Sequence, residues 1–112
     1  MNLDIKTERD GDKLTVTLVG RLDAVTAIEL DKVMSKSLDG VKHLTIDLKD
    51  LNYIASAGLR ILLKTQKRMN NQGYMLVKNI QRDVRTVMDM TGFSTLLTLE
   101  EEERKPFSVS FN

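Results

Sequence analysis

Apolar and polar positions alternate in several stretches of this sequence, which is the period of a β-strand with one buried face. The clearest are residues 14–18 and 44–48, in which every second residue is aliphatic. Leu3 and Ile5 have the same spacing, and residues 74–77 are a short apolar run of similar character. The pattern therefore predicts four strands.

Turn-forming residues separate these strands. Asp10-Gly11 predicts a hairpin between the first two, because glycine adopts the positive φ that a tight turn requires. Gly20 is expected to end the second strand, and residues 50–52 are expected to break the third.

Between the strands the apolar spacing changes to three and four residues, which is typical of amphipathic helices. Three helices are predicted. Thr26 and Glu29 have the spacing of a capping box at the start of the first, and Ser56 has the position of an N-cap at the start of the second. Gly40 and Gly92 are expected to close the first and third helices. The predicted inward-facing residues are Ala27, Leu30, Met34, Leu38, Leu59, Leu62, Leu63, Met69, Ile80, Val84, Val87 and Met88.

The C-terminal part of the chain carries a weaker pattern. Residues 96–99 predict a short last strand, and the acidic run from Glu100 to Glu103 is typical of a solvated surface. Phe107, Val109 and Phe111 alternate as in an edge strand, a position that Pro106 permits. We therefore expect one domain over residues 1–99 and a tail over 100–112 that adds an edge strand. That edge is also the one feature that would favour dimerisation, and the oligomeric state stays open.

A hairpin followed by strand–helix units predicts an α/β domain. Its sheet should be mixed, with four to five strands, and its helices should pack mainly on one face.

Composition excludes several functional classes. A formal net charge of +1 and an aromatic content of 4% give no electrostatic or stacking basis for nucleic acid as the main partner. No apolar run approaches the roughly 20 residues of a membrane helix, and the polar N-terminus does not resemble a signal peptide. We therefore expect a cytoplasmic protein with no direct nucleic-acid binding and no membrane insertion.

Catalytic chemistry has little support in the residues present. There is no cysteine, and the one histidine, His43, lies on the polar side of a predicted strand. The segment around Ser56 lacks the second glycine and the lysine of a phosphate-binding loop. The sequence therefore predicts no enzyme activity, no metal site and no cofactor.

One segment combines a strand, a turn and a helix start in a pattern that resembles the STAS domain family, best known as bacterial anti-sigma factor antagonists. Its turn is Ser56-Ala57-Gly58-Leu59, similar to the family's switch turn. Three further segments agree with the family in order and spacing, so that the resemblance spans about residues 3 to 99. They are Gly20-Arg21-Leu22-Asp23 with Thr26, Asp47-Leu48 with Leu51, and residues 84–93.

The resemblance implies a protein that binds an anti-sigma factor with serine kinase activity. The kinase would phosphorylate Ser56 and so dissociate the complex, and a phosphoserine phosphatase would reverse the modification. The founding members have Asp where this chain has Ala55, and Ala57 replaces a second serine, which leaves Ser56 as the only hydroxyl of the turn. The residues that the resemblance assigns to partner binding are Asp23, Thr26, Ala55, Ala57, Gly58 and Arg60.

Two other functions are compatible with the sequence. A STAS subunit can dock on a membrane transporter complex without being phosphorylated, although that subfamily often lacks the switch serine. A nucleotide-binding domain is the third class, and no phosphate loop supports it.

Overall fold

The computed structural model describes residues 2–100, which form one sheet and a layer of helices. In chain order the elements are β1 (Leu3–Asp10), β2 (Lys13–Leu22), α1 (Thr26–Ser37), β3 (His43–Ile54), α2 (Ser56–Asn70), β4 (Tyr74–Lys78), α3 (Arg82–Thr91) and a 3-10 turn (Phe93–Thr95).

The sheet is mixed, as predicted, with the strand order β1-β2-β3-β4. β1 and β2 form an antiparallel hairpin that turns at Gly11, whose φ is +63°. β2 pairs with β3 and β3 with β4 in parallel, with α1 and α2 as the crossovers. Parallel pairing places the ends of β2 and β3, and hence the starts of α1 and α2, at one edge of the sheet.

One face of the sheet carries the core. The register aligns Val16, Ile46 and Val77 across three strands, and all three are fully buried. The neighbouring row on the other face, which includes Thr15 and Thr45, is only half-buried. The three helices therefore pack on one face, and the inward sides of α1 and α2 complete the core as predicted.

Two predicted strand ends are wrong. β2 continues through Gly20 to Leu22, and β3 continues through residues 50–52 to Ile54. The pairing of these strands shifts register on either side of Gly20, whose φ is +115°. A bulge inserts an extra residue without ending a strand, so here the glycine marks an irregularity and the strand goes on.

Within residues 2–100 the predicted last strand is a single bridge. Residues 93–95 wind as a 3-10 turn, and of residues 96–100 only Leu99 pairs with the sheet, in parallel with Val77 of β4. The predicted edge strand at residues 107–111 lies outside the described residues, as does the rest of the tail beyond Glu100.

Candidate functional site

The predicted switch turn lies where two parallel strands end side by side. Leu22 of β2 pairs with Ile54 of β3, and the amide of Ala55 donates to the carbonyl of Leu22 at 2.9 Å. Asp23 follows the first of these strands and Ser56 the second. The fold therefore brings the two most separated parts of the predicted site to one edge, which we call the switch edge.

Ser56 is exposed on this edge as the first residue of α2. The prediction that it is the N-cap is wrong by one residue. The N-cap is Ala55, which has extended backbone angles (φ −105°, ψ 170°) and no side-chain oxygen. The Ser56 hydroxyl makes no hydrogen bond with the rest of residues 2–100, so it is available to an enzyme or a partner.

The start of α2 is electrostatically positive. The first backbone bond of the helix runs from the amide of Leu59 to the carbonyl of Ala55 at 3.1 Å, so the preceding amides lack helical acceptors. No side chain caps them, and the first turn contains no acidic residue. Unsatisfied amides and the helix dipole together favour an anion at this position.

Asp23 caps the neighbouring helix α1. Its Oδ1 accepts from the amides of Val25 at 3.0 Å and Thr26 at 2.9 Å. The hydrogen bond from the Thr26 amide is the largest cause that lowers the pKa of Asp23, and the Thr26 hydroxyl adds to it. The predicted capping box of Thr26 and Glu29 is wrong, because the N-cap position is held by Val25 and the Thr26 hydroxyl bonds the backbone of Asp23 and Arg21.

Thr26 is 2% exposed, so it supports the site from below its surface. Its Oγ1 accepts from the amide of Asp23 at 2.8 Å and donates to the carbonyl of Arg21 at 2.9 Å. The hydroxyl thus fixes the path of the chain from β2 into α1, and direct contact between Thr26 and a partner does not fit its burial.

A Thr26→Val substitution tests this supporting role, because it keeps the shape and removes the hydroxyl. The Asp23 amide then loses its acceptor in a partly buried place, and we expect the free energy of unfolding to fall by about 1–3 kcal/mol. Urea denaturation measures the change. Thr26→Ser keeps the oxygen and should stay closer to wild type; equal stability of the valine and wild-type proteins would contradict the assignment.

Gly58 is also buried. A Cβ on this residue would lie 2.5 Å from Cγ of Leu22, so the glycine allows α2 to approach β2. Like Thr26, it positions the site without offering a contact surface. Of the other predicted binding residues, Arg60 is exposed, and Ala55, Ala57 and Asp23 are half-buried.

Sequence reasoning missed an apolar and aromatic rim around these residues. Val25, the residue before α1, is 69% exposed, and Ile28 on the first turn of α1 is 59% exposed. Tyr53 is 41% exposed, and the Arg21 guanidinium lies 4.0 Å from its ring centroid. The signal for the two aliphatic residues was present, since both fall outside the predicted inward stripe of α1. Exposed apolar groups beside an exposed hydroxyl are typical of a protein-binding surface.

Within the described residues no group of three or more His, Asp and Glu side chains could hold a metal ion. No helix in this part of the chain is long and apolar enough to cross a membrane.

Solved structures of known proteins share this arrangement of strands and helices. Among solved structures, an anti-sigma factor antagonist from Mycobacterium paratuberculosis superposes with a TM-score of 0.78 at 24% identity, covering 89% of this chain and 86% of that one. The Bacillus cell fate determinant SpoIIAA in its phosphorylated form superposes with a TM-score of 0.68 at 16% identity, covering 88% and 93%. These similarities show the fold.

Sequence comparison shows the family. An anti-sigma F factor antagonist from Paenibacillus polymyxa is 29% identical over 106 residues, which span 92% of this chain and 91% of the relative. An anti-sigma-B factor antagonist from Staphylococcus aureus (strain NCTC 8325) is 27% identical over 103 residues, 90% and 95% of the two chains. The STAS domain model matches residues 4–105. The chain therefore belongs to the STAS domain family, and its similarity to anti-sigma factor antagonists extends over nearly their whole length.

Proposed function

We propose that this protein is an anti-sigma factor antagonist controlled by phosphorylation of Ser56. With Ser56 unmodified it binds an anti-sigma factor that has serine kinase activity and so keeps that factor from its sigma factor. Phosphorylation by the bound kinase releases the antagonist, and a phosphoserine phosphatase restores binding. The observation that carries the proposal is the exposed Ser56 hydroxyl, which makes no hydrogen bond within the described residues and lies on the first residue of a helix without a side-chain cap.

The fold can accept a phosphate at this position without rearrangement. The modification adds about −1.5 to −2 charges where the amides of α2 lack acceptors and the dipole favours an anion. Arg60 lies four residues further along the same helix, within reach of an i,i+4 ion pair. The phosphorylated protein should therefore keep the fold of the unmodified one.

The effect of the phosphate falls on the docked partner. A partner that covers the switch edge must desolvate the phosphate, and any carboxylate it places near Ser56 is repelled. Arg60 offsets only part of this charge and desolvation of the rest is costly, so the complex dissociates while the antagonist stays folded. The similarity to named anti-sigma factor antagonists and to a fold neighbour described in a phosphorylated form supports this mechanism.

Phosphorylation in vitro tests the proposal. The protein is incubated with ATP and each serine-kinase anti-sigma factor of its own organism, and the modified residue is mapped by mass spectrometry. We expect one phosphoryl group on Ser56 and none in a Ser56→Ala variant. Ser35→Ala is the matched control, because Ser35 is another exposed helical serine. Absence of modification, together with binding to a permease in place of an anti-sigma factor, would contradict the proposal and favour a transporter-docking subunit.

A further inference from the structure

Ser56 stands at the head of a row of cations on α2. Arg60, Lys64 and Lys67 follow it at intervals of four, four and three residues, and all four side chains are exposed. Residues at these spacings lie on one face of a helix, and with a rise of about 1.5 Å per residue they span about 16 Å. We call these four residues the α2 stripe.

The stripe keeps a net positive charge. The α2 sequence, SAGLRILLKTQKRMN, contains basic residues and no acidic one. Lys64 is paired with Asp31 of α1, their charged atoms 3.0 Å apart. Arg60 and Lys67 have no carboxylate within 4.0 Å among residues 2–100. Within the described part of the chain, two cations of the stripe are therefore without an ion-pair partner.

We propose that the α2 stripe docks an acidic surface of the anti-sigma factor, so that the contact continues from the switch edge down the length of α2. This inference rests on the proposed function. It adds that the partner surface is acidic and that the α2 stripe is the part of this chain that contacts it. Complementary charge of this kind speeds encounter and fixes the orientation of two proteins.

The surroundings of the stripe favour a protein partner over a phosphate backbone. Asp31 borders it through its pair with Lys64, and Asp39 borders the end of α2 through a 2.9 Å pair with Arg68. A polyphosphate that lay along α2 would meet both carboxylates, whereas a protein surface can place its own cations against them.

The stripe also gives the switch a second effect. A phosphate on Ser56 lies one helical turn from Arg60, and the pair that they form withdraws this cation from the partner. Lys67 lies about 16 Å away, beyond the screening length of about 8 Å at physiological salt, so it keeps its charge. Phosphorylation thus removes the attractive charge nearest to the switch and leaves the far end of the stripe unchanged.

The test measures association of the full chain with the anti-sigma factor identified in the phosphorylation experiment, by stopped-flow at low and high salt. We expect an Arg60→Glu/Lys67→Glu variant to associate about tenfold more slowly at low salt, with the difference mostly lost at high salt. Lys13→Glu is the matched control, because Lys13 is exposed at the opposite end of β2 and should have no effect. Circular dichroism confirms that each variant is folded.

A double-mutant cycle tests the coupling. The affinity losses of Ser56→Asp and Arg60→Gln should be less than additive, because the aspartate already pairs with Arg60, while those of Ser56→Asp and Lys67→Gln should add.

Equal association rates of the Arg60→Glu/Lys67→Glu and wild-type proteins would overturn the stripe proposal, and the proposed function would stand if Ser56→Asp still lost binding. Failure of the wild-type protein to bind the anti-sigma factor would overturn both. Binding of a DNA duplex or of phosphatidylserine vesicles that disappears in the same variant would assign the stripe to phosphate groups and overturn its assignment to a protein.

Discussion

Ser56→Asp should weaken binding of this protein to its anti-sigma factor by at least about a hundredfold, a loss of about 3 kcal/mol. The carboxylate would sit on the surface that the partner covers, where it must lose its water without gaining a partner cation. The melting temperature should stay within about 2 °C of the wild-type value. The same charge lies at the positive end of α2, where the free amides and the dipole favour it.

The separation of these two effects is the diagnostic result. Isothermal titration calorimetry measures the affinity, and a thermal melt of the free protein measures its stability. Ser56→Asn is the matched control, because it has nearly the shape of aspartate without the charge and should bind much more tightly than the aspartate variant. An equal loss of affinity in both variants would show that shape at position 56, and not charge, controls docking. A large fall in melting temperature would show that the hydroxyl has a structural role.

The protein phosphorylated on Ser56 should bind the anti-sigma factor still more weakly than the Ser56→Asp variant. A phosphate carries about −1.5 to −2 charges, whereas aspartate carries one negative charge. We therefore expect the affinity for the anti-sigma factor to fall in the order serine, asparagine, aspartate and phosphoserine at position 56.

The sequence predicted the architecture well because hydrophobic periodicity reports burial directly. Residues 14–18 and 44–48 alternate without interruption, and both lie in central strands with one face in the core. The hairpin was predictable for another local reason, since the turn needs a positive φ at Gly11. Family resemblance added what periodicity cannot give, namely which exposed turn we propose as the functional one.

Strand ends were not predictable because the periodicity changes phase at a bulge. In β3 the buried residues Leu48, Leu51 and Ile54 are three apart, so the pattern no longer alternates although the strand continues. The pairing that keeps this segment extended comes from β2, which is distant in the sequence. A turn-like composition at residues 50–52 is overridden by that tertiary contact.

The predicted N-caps of α1 and α2 were wrong for a more local reason. A serine or threonine beside a helix start looks like an N-cap whether it occupies the cap or the first helical position. In the structure Asp23 caps α1 from three residues before Thr26, and Ala55 takes the cap position of α2. The displacement by one residue matters for the proposed switch, because an N-cap hydroxyl would be engaged with the helix, whereas the Ser56 hydroxyl makes no hydrogen bond within residues 2–100.

Gly58→Ala should destabilise the protein by about 1–3 kcal/mol, although alanine normally strengthens a helix by about 1 kcal/mol relative to glycine. The new methyl would lie 2.5 Å from Cγ and 2.8 Å from Cδ2 of Leu22, a residue that is itself fully buried. Real carbon atoms do not approach so closely, so α2 or the Leu22 side chain must move. The clash outweighs the gain in helix propensity, and the sign of the effect tests the packing.

Urea denaturation of Gly58→Ala, Leu22→Ala and the double variant measures the contact directly. Leu22→Ala alone should cost stability through lost burial. In the double variant both Cγ and Cδ2 of residue 22 are absent, which makes room for the new methyl, so the combined loss should be smaller than the sum of the two single losses. Strict additivity, or a stabilising Gly58→Ala, would contradict the close approach of α2 to β2.

The same cycle connects packing to docking. Movement of α2 away from Leu22 also moves Ser56, which lies two residues before Gly58 on the same turn. Gly58→Ala should therefore weaken anti-sigma factor binding as well as stability, and in the double variant the losses of both should be smaller than the sums of the single losses. Ser56→Asp should change binding alone, and Leu22→Ala should change mainly stability. A less-than-additive loss of stability together with an additive loss of binding would show that the position of the first turn of α2 does not control docking.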